Sequence, residues 1–318
     1  MRAIVCHELT PDRSGLRFHP DWPEPPTPGA AEVQVAVSHA ALNYPDLLML
    51  AGGYQFRPEL PFIPGTEASG LVTATGPGAE AWAGRSVIIG ARSGGFAERM
   101  TLPATQVRAV PVGLSPAEAA AFTVGALTAW VGLMVRGRLQ AGERVLVTGA
   151  GGGMGLAAVA LARAEGAKVV AVASSSERLS LARDAGAHET ILIDRATPVI
   201  DRRDIDIVFD PVGGAVTMPA IRSLARGGRY LIIGFVGGRP DPFALNRALI
   251  KEIEIIGVRA GEQGRQDPAA GRAHIAAIDA RAAVLRPVIG LEVPLERADA
   301  AFAAMAAGTL NGKAVIRI

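Results

Sequence analysis

Short runs of apolar and β-branched residues, separated by Gly and Pro, dominate the first part of the chain. Glu32–Ala36, Gly70–Thr75 and Ser86–Ala91 each have the length and residue types of a β-strand. The prolines between positions 23 and 28 cannot occupy a helix or a central strand, and they indicate a surface loop. The pattern predicts a β-rich region over residues 1–120.

From Pro116 onward, continuous apolar runs alternate with Ala-rich stretches of helical length. We predict strands at Arg144–Thr148 and Lys168–Ala173, helices at Met154–Glu165 and Ser176–Ala185, and further segments at Ile191–Ile193, Ile205–Asp210, Pro219–Ala225, Tyr230–Gly234 and Glu254–Val258. Strands that are apolar throughout and alternate with helices predict a parallel sheet covered on both faces.

The tail of the chain, from Pro268, predicts one helix, a short strand at Leu291–Val293, another helix and a final strand at Ala314–Ile318. A length of 318 residues favours two domains over one. Hydrophobic residues make up 49% and charged residues 19% of the chain, which is typical of a globular protein.

Charge and cysteine content exclude several classes of protein. The formal net charge is +2 and no Lys/Arg block stands out, so we expect no nucleic-acid partner. Cys6 is the only cysteine, so no disulfide forms within the chain. The N-terminal residues have no apolar core of a secretory signal, and we expect a cytoplasmic protein. The apolar stretch Ala119–Val135 is shorter than the ~20 residues of a membrane span, so we predict a buried helix and no membrane association.

A glycine-rich turn between two apolar strands is the strongest local signal. In RVLVTGAGGGMGLAAVALARAEGAKVVAVA, a strand leads into glycines that open a helix, and a second strand follows. Gly152 and Gly153 let the backbone approach a pyrophosphate, and Gly155 allows close packing of helix against strand. The N–H groups of the helix N-terminus then favour an anion. The first glycine of the GxGxxG pattern is absent, because Ala150 stands there.

The same letters also fit the TGxxxGxG turn of short-chain dehydrogenases. Those proteins place the turn near the N-terminus and need a YxxxK pair downstream. Here the turn begins at Thr148, and Tyr230, the only later tyrosine, is followed four residues on by Gly234. The short-chain interpretation therefore fails.

The end of the second strand of this unit selects between the two nicotinamide dinucleotides. NAD is usually held there by an acidic residue that accepts from the ribose 2′-hydroxyl. Here Ala173 occupies that position, and serines and Arg178 follow it. Hydroxyl groups and an arginine bind a 2′-phosphate by charge-assisted hydrogen bonds. Arg195, after the third strand, is a second candidate. We predict NADPH as the cofactor, with Ser174, Arg178 and Arg195 at its 2′-phosphate.

Beyond these patterns, the chain resembles the zinc-free quinone oxidoreductase branch of the medium-chain dehydrogenase/reductase family over essentially its whole length. The motifs that carry the resemblance are ALNYPDLLMLAGGY, LPFIPGTEASGLV, GGFAERMTLP, AAFTVGALTAW, FDPVGG, GGRYLIIGF and LNGKAVIRI. The resemblance implies an α/β protein with a Rossmann doubly wound parallel sheet inserted in a β-rich GroES-like catalytic domain. We expect residues 1–122 and 260–318 to form the catalytic domain, 123–259 to form the NADPH-binding domain, and the cofactor to lie in the cleft.

Zinc-dependent relatives bind a catalytic metal through positions that match Asn43, Thr66 and Val124 of this chain. None of these residues is a cysteine or a histidine, and the five histidines stand at unrelated spacings. We therefore predict no metal site. Without a metal Lewis acid, the substrates expected are quinones and activated alkenes, because conjugation spreads the charge left after hydride arrives.

The resemblance also implies the residues around the nicotinamide. Asn43 and Tyr54 are the candidate catalytic residues: Asn43 bonds either the nicotinamide ribose or the substrate carbonyl, and Tyr54 either donates to a developing oxyanion or stacks on a ring. A turn residue and a packed loop aromatic are the structural alternatives. The full set of predicted cofactor-binding residues is Asn43, Thr128, Gly152, Gly153, Met154, Gly155, Ser174, Arg178, Arg195, Val212, Gly234 and Phe235.

Three functions stay open at this point: an NADPH:quinone reductase, an NADPH-dependent alkene or enoyl-thioester reductase, and an NADPH-binding protein with a structural or sensing role and little turnover. We expect a small-molecule substrate. We also expect a homodimer, because relatives pair the sheet edge that Ile253–Val258 forms here across a two-fold axis.

Overall fold

Two large sheets organise the chain in the computed structural model, which describes residues 1–318. The strands are β1 (Ala3–Cys6), β2 (Leu16–His19), β3 (Glu32–Leu42), β4 (Glu67–Thr75), β5 (Ser86–Gly90), β6 (Arg99–Pro103), β7 (Val107–Ala109), β8 (Arg144–Thr148), β9 (Lys168–Ala173), β10 (Glu189–Leu192), β11 (Ile205–Asp210), β12 (Leu224–Ile232), β13 (Glu254–Gly257), β14 (Ile289–Pro294) and β15 (Lys313–Arg317).

Most of the helices lie in the middle of the chain. They are α1 (Tyr44–Leu50), α2 (Pro116–Trp130), α3 (Gly153–Ala164), α4 (Ser176–Asp184), α5 (Thr217–Ser223), α6 (Asn246–Lys251), α7 (Ala260–Gln266), α8 (Pro268–Asp279) and α9 (Ala298–Ala306). The chain divides into two compact units: residues 1–124 with 288–318, and residues 125–287.

The first unit is built on a seven-stranded sheet. Its order is β14-β15-β3-β4-β5-β7, and β6 pairs with β3. All neighbouring pairs are antiparallel except β14 and β15, which are parallel. The alternating strands bury one core, in which the rings of Phe96 and Phe302 meet edge to face with centroids 5.8 Å apart. This confirms the predicted β-rich domain, and the compact unit that contains it includes residues from both ends of the chain.

The second unit is built on a six-stranded, fully parallel sheet. Its order, β10-β9-β8-β11-β12-β13, is the 3-2-1-4-5-6 order of a Rossmann sheet. The pairing of β8 with β9 on one side and with β11 on the other places the topological switch point between β8 and β11. This confirms the predicted doubly wound sheet, and it puts the glycine-rich turn after β8 at the position where such sheets bind nucleotides.

The boundary between the units differs from the prediction at one end. The first division falls at residues 124/125, close to the predicted 122/123, whereas the second falls at 287/288 instead of 259/260. Residues 260–287, with α7 and α8, belong to the second unit. Arg281 shows why: its guanidinium lies 4.5 Å from the Trp130 ring centroid, and its Nε donates to Glu165 at 2.8 Å.

The helix α2 continues as a π-helical turn, Val131–Arg136. Together these 21 residues are long and apolar enough to cross a membrane by length and composition. The core helix of a folded domain passes the same test, and 56% of the most apolar window is buried inside the protein. The burial agrees with the predicted buried helix.

A buried carboxyl group fixes the start of α1 in the first unit. The Asn43 backbone N–H donates to Asp46 Oδ2 at 2.8 Å, and the Asp46 N–H donates back to the Asn43 carbonyl. Asp46 is fully buried, and its Oδ1 atom has no hydrogen-bond partner. Burial raises the pKa of Asp46 to about 7, and the charge of Glu67 adds to the rise, against the opposing Asn43 N–H and the Lys313 charge.

We predict that Asp46 makes the stability of the protein depend on pH. Below about pH 7 the folded protein keeps this carboxyl protonated, whereas an unfolded chain releases the proton near pH 4. The free energy of unfolding should therefore fall as the pH rises between these values, by at most about 4 kcal/mol, and level off above them. The Asp46→Asn variant, which cannot titrate, should lack this contribution.

The measurement is urea unfolding of both proteins over this pH range. Because groups away from this site titrate alike in both proteins, the difference between the two free energies isolates Asp46 together with its coupling to Glu67 and Lys313. Parallel pH profiles would show that the carboxyl group is not held neutral in the fold.

Candidate functional site

The glycine turn after β8 leaves no space for side chains where it meets α3. A Cβ atom on Gly155 would lie 2.3 Å from the Gly149 carbonyl oxygen, so only glycine allows the helix to start this close to the strand. Gly152 is the N-cap residue, and no side chain caps the helix there. The first N–H groups of a helix have no intrahelical partner, so this turn presents them to an anion. Gly152, Gly153 and Met154 are partly exposed there.

The missing first glycine of the GxGxxG pattern is compensated one residue earlier. Gly149 has φ 58°, in the left-handed region, and makes the turn. Ala150 is fully buried, and its N–H donates to the Val172 carbonyl on β9 at 3.1 Å. The departure from the pattern therefore shifts the tight turn without opening the loop.

The structure brings together the three residues predicted for the 2′-phosphate. Ser174 follows β9, and its Oγ accepts from Arg195 Nε at 2.9 Å and from Arg178 Nη1 at 3.3 Å. Burial and the charge of Arg195 lower the pKa of Arg178, as expected where two guanidinium groups converge. A Cβ atom on Gly151 would lie 2.4 Å from Arg178 Cβ, so this arginine packs directly on the glycine turn.

One acidic residue lies in the same segment. Glu177, in the first turn of α4, is exposed, and its own backbone N–H and the Ser175 side chain lower its pKa. Ala173, at the end of β9, occupies the position where an NAD-binding sheet usually carries the acid. Around Ser174 two guanidinium groups converge, which favours a doubly charged anion.

A buried carboxylate at the switch point escaped the sequence analysis. Asp210, at the end of β11, is 1% exposed and accepts hydrogen bonds from Thr148 on β8 and Tyr230 on β12. Its Oδ1 atom also accepts from the backbone N–H groups of Val212 and Gly213 at 2.8 and 3.0 Å. Burial, and next the charge of Asp210, raise the pKa of Tyr230. The sequence did contain a signal for this carboxylate, because an acidic residue ends an apolar strand directly before Pro-Val-Gly-Gly.

The loops after β11 and β12 meet at this carboxylate. Gly213 has φ 67°, and a Cβ atom on it would lie 2.7 Å from the Phe235 ring. The Gly237 N–H donates to the Val212 carbonyl at 2.7 Å, and a Cβ on Gly234 would lie 3.1 Å from the Pro211 carbonyl oxygen. Val212, Gly234 and Phe235 are thus placed together, and Phe235 is 44% exposed.

Thr128 lies on α2, partly exposed, three residues after Gly125. A Cβ atom on Gly125 would lie 3.6 Å from the Gly153 carbonyl oxygen, so α2 passes close to the start of α3. This places Thr128 on the helix that packs on the glycine turn.

In the first unit, Asn43 belongs to a buried polar group with Glu67 and Lys313. All three residues are 6% exposed or less. Lys313 Nζ donates to Asn43 Oδ1 and to Glu67 Oε1, each at 2.6 Å, and Asn43 Nδ2 donates to Glu67 Oε1 at 3.0 Å. Glu67 Oε2 accepts from the Val124 N–H at 2.8 Å. The sequence analysis found Asn43 but missed Glu67 and Lys313.

Tyr54, the other candidate catalytic residue, lies in the loop after α1. It is partly buried and packs against the core of the first unit. Phe56, two residues on, has the Arg92 guanidinium 4.1 Å from its ring centroid. The structure shows a packed loop aromatic at Tyr54 and leaves its catalytic role a prediction.

The three positions that match the zinc ligands of relatives carry side chains of other chemistry. Asn43 offers a carboxamide already bonded to an ammonium group, Thr66 a hydroxyl, and Val124 an aliphatic side chain. No group of three or more His, Cys, Asp or Glu residues in the protein is arranged to hold a metal ion. This donor set does not fit zinc, which prefers cysteine sulfur and histidine nitrogen.

Comparison with known proteins places these features in a family. Residues 29–112 match the alcohol dehydrogenase GroES-like domain, and residues 153–274 match the zinc-binding dehydrogenase family. A segment of the mycocerosic acid synthase-like polyketide synthase of Mycobacterium tuberculosis is 38% identical over 224 residues, which cover 65% of this chain and 10% of that protein.

Two relatives align with the whole chain. The quinone oxidoreductase from Thermus thermophilus, whose crystal structures include a complex with NADPH, is 33% identical and superposes with a TM-score of 0.85 over 100% of both chains. The quinone oxidoreductase-like protein 2 of Bos taurus is 32% identical over 100% of this chain and 92% of its own length. The resemblance seen in the motifs is therefore confirmed, and the chain belongs to the medium-chain dehydrogenase/reductase family of oxidoreductases.

Proposed function

We propose that this protein is an NADPH-dependent oxidoreductase that transfers a hydride to a quinone or a similar conjugated carbonyl compound without a metal ion. The observation that carries the proposal is the convergence of Arg178 and Arg195 on Ser174, beside an uncapped helix N-terminus. One site accepts a pyrophosphate and the other a 2′-phosphate, and NADPH has both groups. The Thermus relative forms a complex with this cofactor.

Each group of predicted residues then has a defined task toward the cofactor. The backbone at Gly152, Gly153, Met154 and Gly155 holds the pyrophosphate, and Ser174, Arg178 and Arg195 hold the 2′-phosphate. Thr128, Val212, Gly234 and Phe235 line the nicotinamide, and Asp210 fixes the backbone of that loop. NADPH, when bound, supplies the hydride.

Because no metal ligands stand at this site, side chains of the protein must stabilise the charge that develops on the substrate. Tyr54 donates a hydrogen bond to the oxygen on which negative charge develops, and Asn43 bonds either the nicotinamide ribose or the substrate carbonyl. Quinones fit this arrangement because their conjugation delocalises that charge, so that hydrogen bonding alone stabilises it sufficiently.

A second candidate function is reduction of the conjugated double bond of an enoyl thioester. The similarity to a segment of a polyketide synthase supports it. The chemistry is closely related, since in both reactions a hydride adds to a conjugated system and the charge that develops on the carbonyl oxygen must be stabilised. The two functions differ in the substrate that the protein accepts.

The cofactor assignment predicts a selective effect of Arg178→Ala. Loss of the charge-assisted bonds to the 2′-phosphate should weaken NADPH binding by about tenfold or more. NADH, which lacks that phosphate, should bind nearly as it does to the unaltered protein. Quenching of protein fluorescence measures both dissociation constants.

A matched control lies on the same helix. Arg183 bonds to Thr190 at 2.7 Å, at the far end of α4, and Arg183→Ala should change neither constant by more than about twofold. Equal losses for NADPH and NADH in Arg178→Ala would refute the 2′-phosphate site.

Steady-state turnover tests the substrate and the independence from metal. We expect oxidation of NADPH by a simple quinone, unchanged after exhaustive dialysis against a chelator, and zinc well below one equivalent in the purified protein. A preference for an enoyl thioester over the quinone would favour the second function. Failure to turn over either substrate while binding NADPH would indicate a structural or sensing protein.

We further propose a homodimer formed through the edge of the second sheet. β13 is an edge strand, and it carries Ile255, 40% exposed, beside α6 with Leu249 and Ile250, 79% and 74% exposed. An apolar edge of this kind is usually covered by a partner.

The dimer predicts that Ile255→Lys yields a monomer at micromolar concentration, because the new charge would be buried in the interface. Light scattering measures the mass. Val112→Lys replaces a fully exposed residue of the first unit and serves as the control. A monomeric unaltered protein would rule out this assembly.

A further inference from the structure

The amide group of Asn43 has a single possible orientation. An ammonium group has no lone pair and only donates hydrogen bonds, so the atom of Asn43 that faces Lys313 Nζ at 2.6 Å must be the oxygen. An ionised carboxylate only accepts, so the atom that faces Glu67 Oε1 at 3.0 Å must be the nitrogen. Lys313 and Glu67 also pair with each other at 2.6 Å, which fixes both neighbours of the amide.

The protein therefore uses the donors of the Asn43 amide more fully than its acceptor. Nδ2 has two N–H groups: Glu67 takes one, and Thr66 Oγ1 and the Ala41 carbonyl oxygen lie at 3.4 Å to receive the other. Oδ1 has two lone pairs, and Lys313 uses one. What Asn43 has left to offer a ligand is an acceptor site next to a positive charge.

We propose that Lys313 is a positioning residue that, with Glu67, holds Asn43 as a hydrogen-bond acceptor for a hydroxyl group of the cofactor's nicotinamide ribose. This rests on the proposed function. It also selects between the two roles open to Asn43, because a substrate carbonyl or a developing oxyanion needs a donor, and the donors of this amide are committed within the protein. Stabilisation of the oxyanion then falls to another group, and Tyr54 is the candidate.

The experiment is a double-mutant cycle of Asn43→Ala and Lys313→Met, read by the dissociation constant of NADPH and by kcat and KM for a quinone. If Asn43 accepts from the ribose, its loss weakens NADPH binding about three- to tenfold. At saturating NADPH, kcat then stays within about threefold. An oxyanion donor would instead lower kcat by about a hundredfold or more with NADPH binding unchanged, and that result would overturn the acceptor role.

The second half of the cycle tests Lys313. If it acts through Asn43, Lys313→Met weakens NADPH binding as Asn43→Ala does, and the double variant binds no worse than either single variant. Lys313→Arg, which keeps the charge and the donor, should restore most of the affinity. Additive losses in the double variant would show that Lys313 acts independently of Asn43 and would overturn its role as a positioning residue.

Folding and function are separated by two further controls. Because Lys313→Met leaves Glu67 unpaired in the interior, Lys313→Met/Glu67→Gln provides a neutral version if the single variant does not fold. If the unaltered protein does not bind NADPH, both the proposed function and this inference are refuted. Binding of NADPH with additive losses would overturn the role of Lys313 alone.

Discussion

The close junction between β8 and α3 is the steric constraint on which the candidate cofactor site of the second unit depends. A Cβ atom on Gly155 would lie 2.3 Å from the Gly149 carbonyl oxygen, and a Cβ atom on Gly151 would lie 2.4 Å from Arg178 Cβ. Only glycine permits both approaches. The same close packing points the helix N-terminus at the switch point of the sheet and brings Arg178 beside it. One steric condition therefore places an uncapped helix N-terminus next to a cationic side chain.

Buried polar groups fix the positions of further loops and side chains around the two sheets. Asp210 ties the ends of β8, β11 and β12 together and holds the backbone N–H groups of the following loop. In the first unit, Lys313 and Glu67 hold Asn43. Both networks satisfy nearly every donor and acceptor, which gives polar groups in a low-dielectric interior a single arrangement. Each uses a buried carboxylate to fix the position of neighbouring groups: Asp210 holds two backbone N–H groups, and Glu67 holds the Asn43 amide.

The local sequence pattern was sufficient to predict those strands that consist mainly of apolar residues. Arg144–Thr148, Lys168–Ala173 and Ile205–Asp210 are strands with the predicted bounds, because each is a continuous apolar run between turn residues. β12 begins at Leu224, six residues earlier than predicted, since Arg226 to Arg229 carry charges and glycines typical of a loop. Residues 260–287 join the second unit through contacts of Arg281 with Trp130 and Glu165, more than 100 positions away in sequence, which no local pattern contains.

Asn43 shows the same limit at the level of chemistry. The sequence analysis left it as either a turn residue or a ligand-binding residue. The structure shows that its backbone begins α1 and that its side chain bonds to Glu67 and Lys313, and ligand binding stays a prediction. Whether the amide offers a donor or an acceptor depends on Lys313, which is 270 positions away. A motif can identify a polar residue near a site, but the hydrogen bonds left for a ligand are those that remain after the fold has used its own. The capacity that remains is a property of the folded protein, and in Asn43 it is a lone pair of the side-chain oxygen Oδ1.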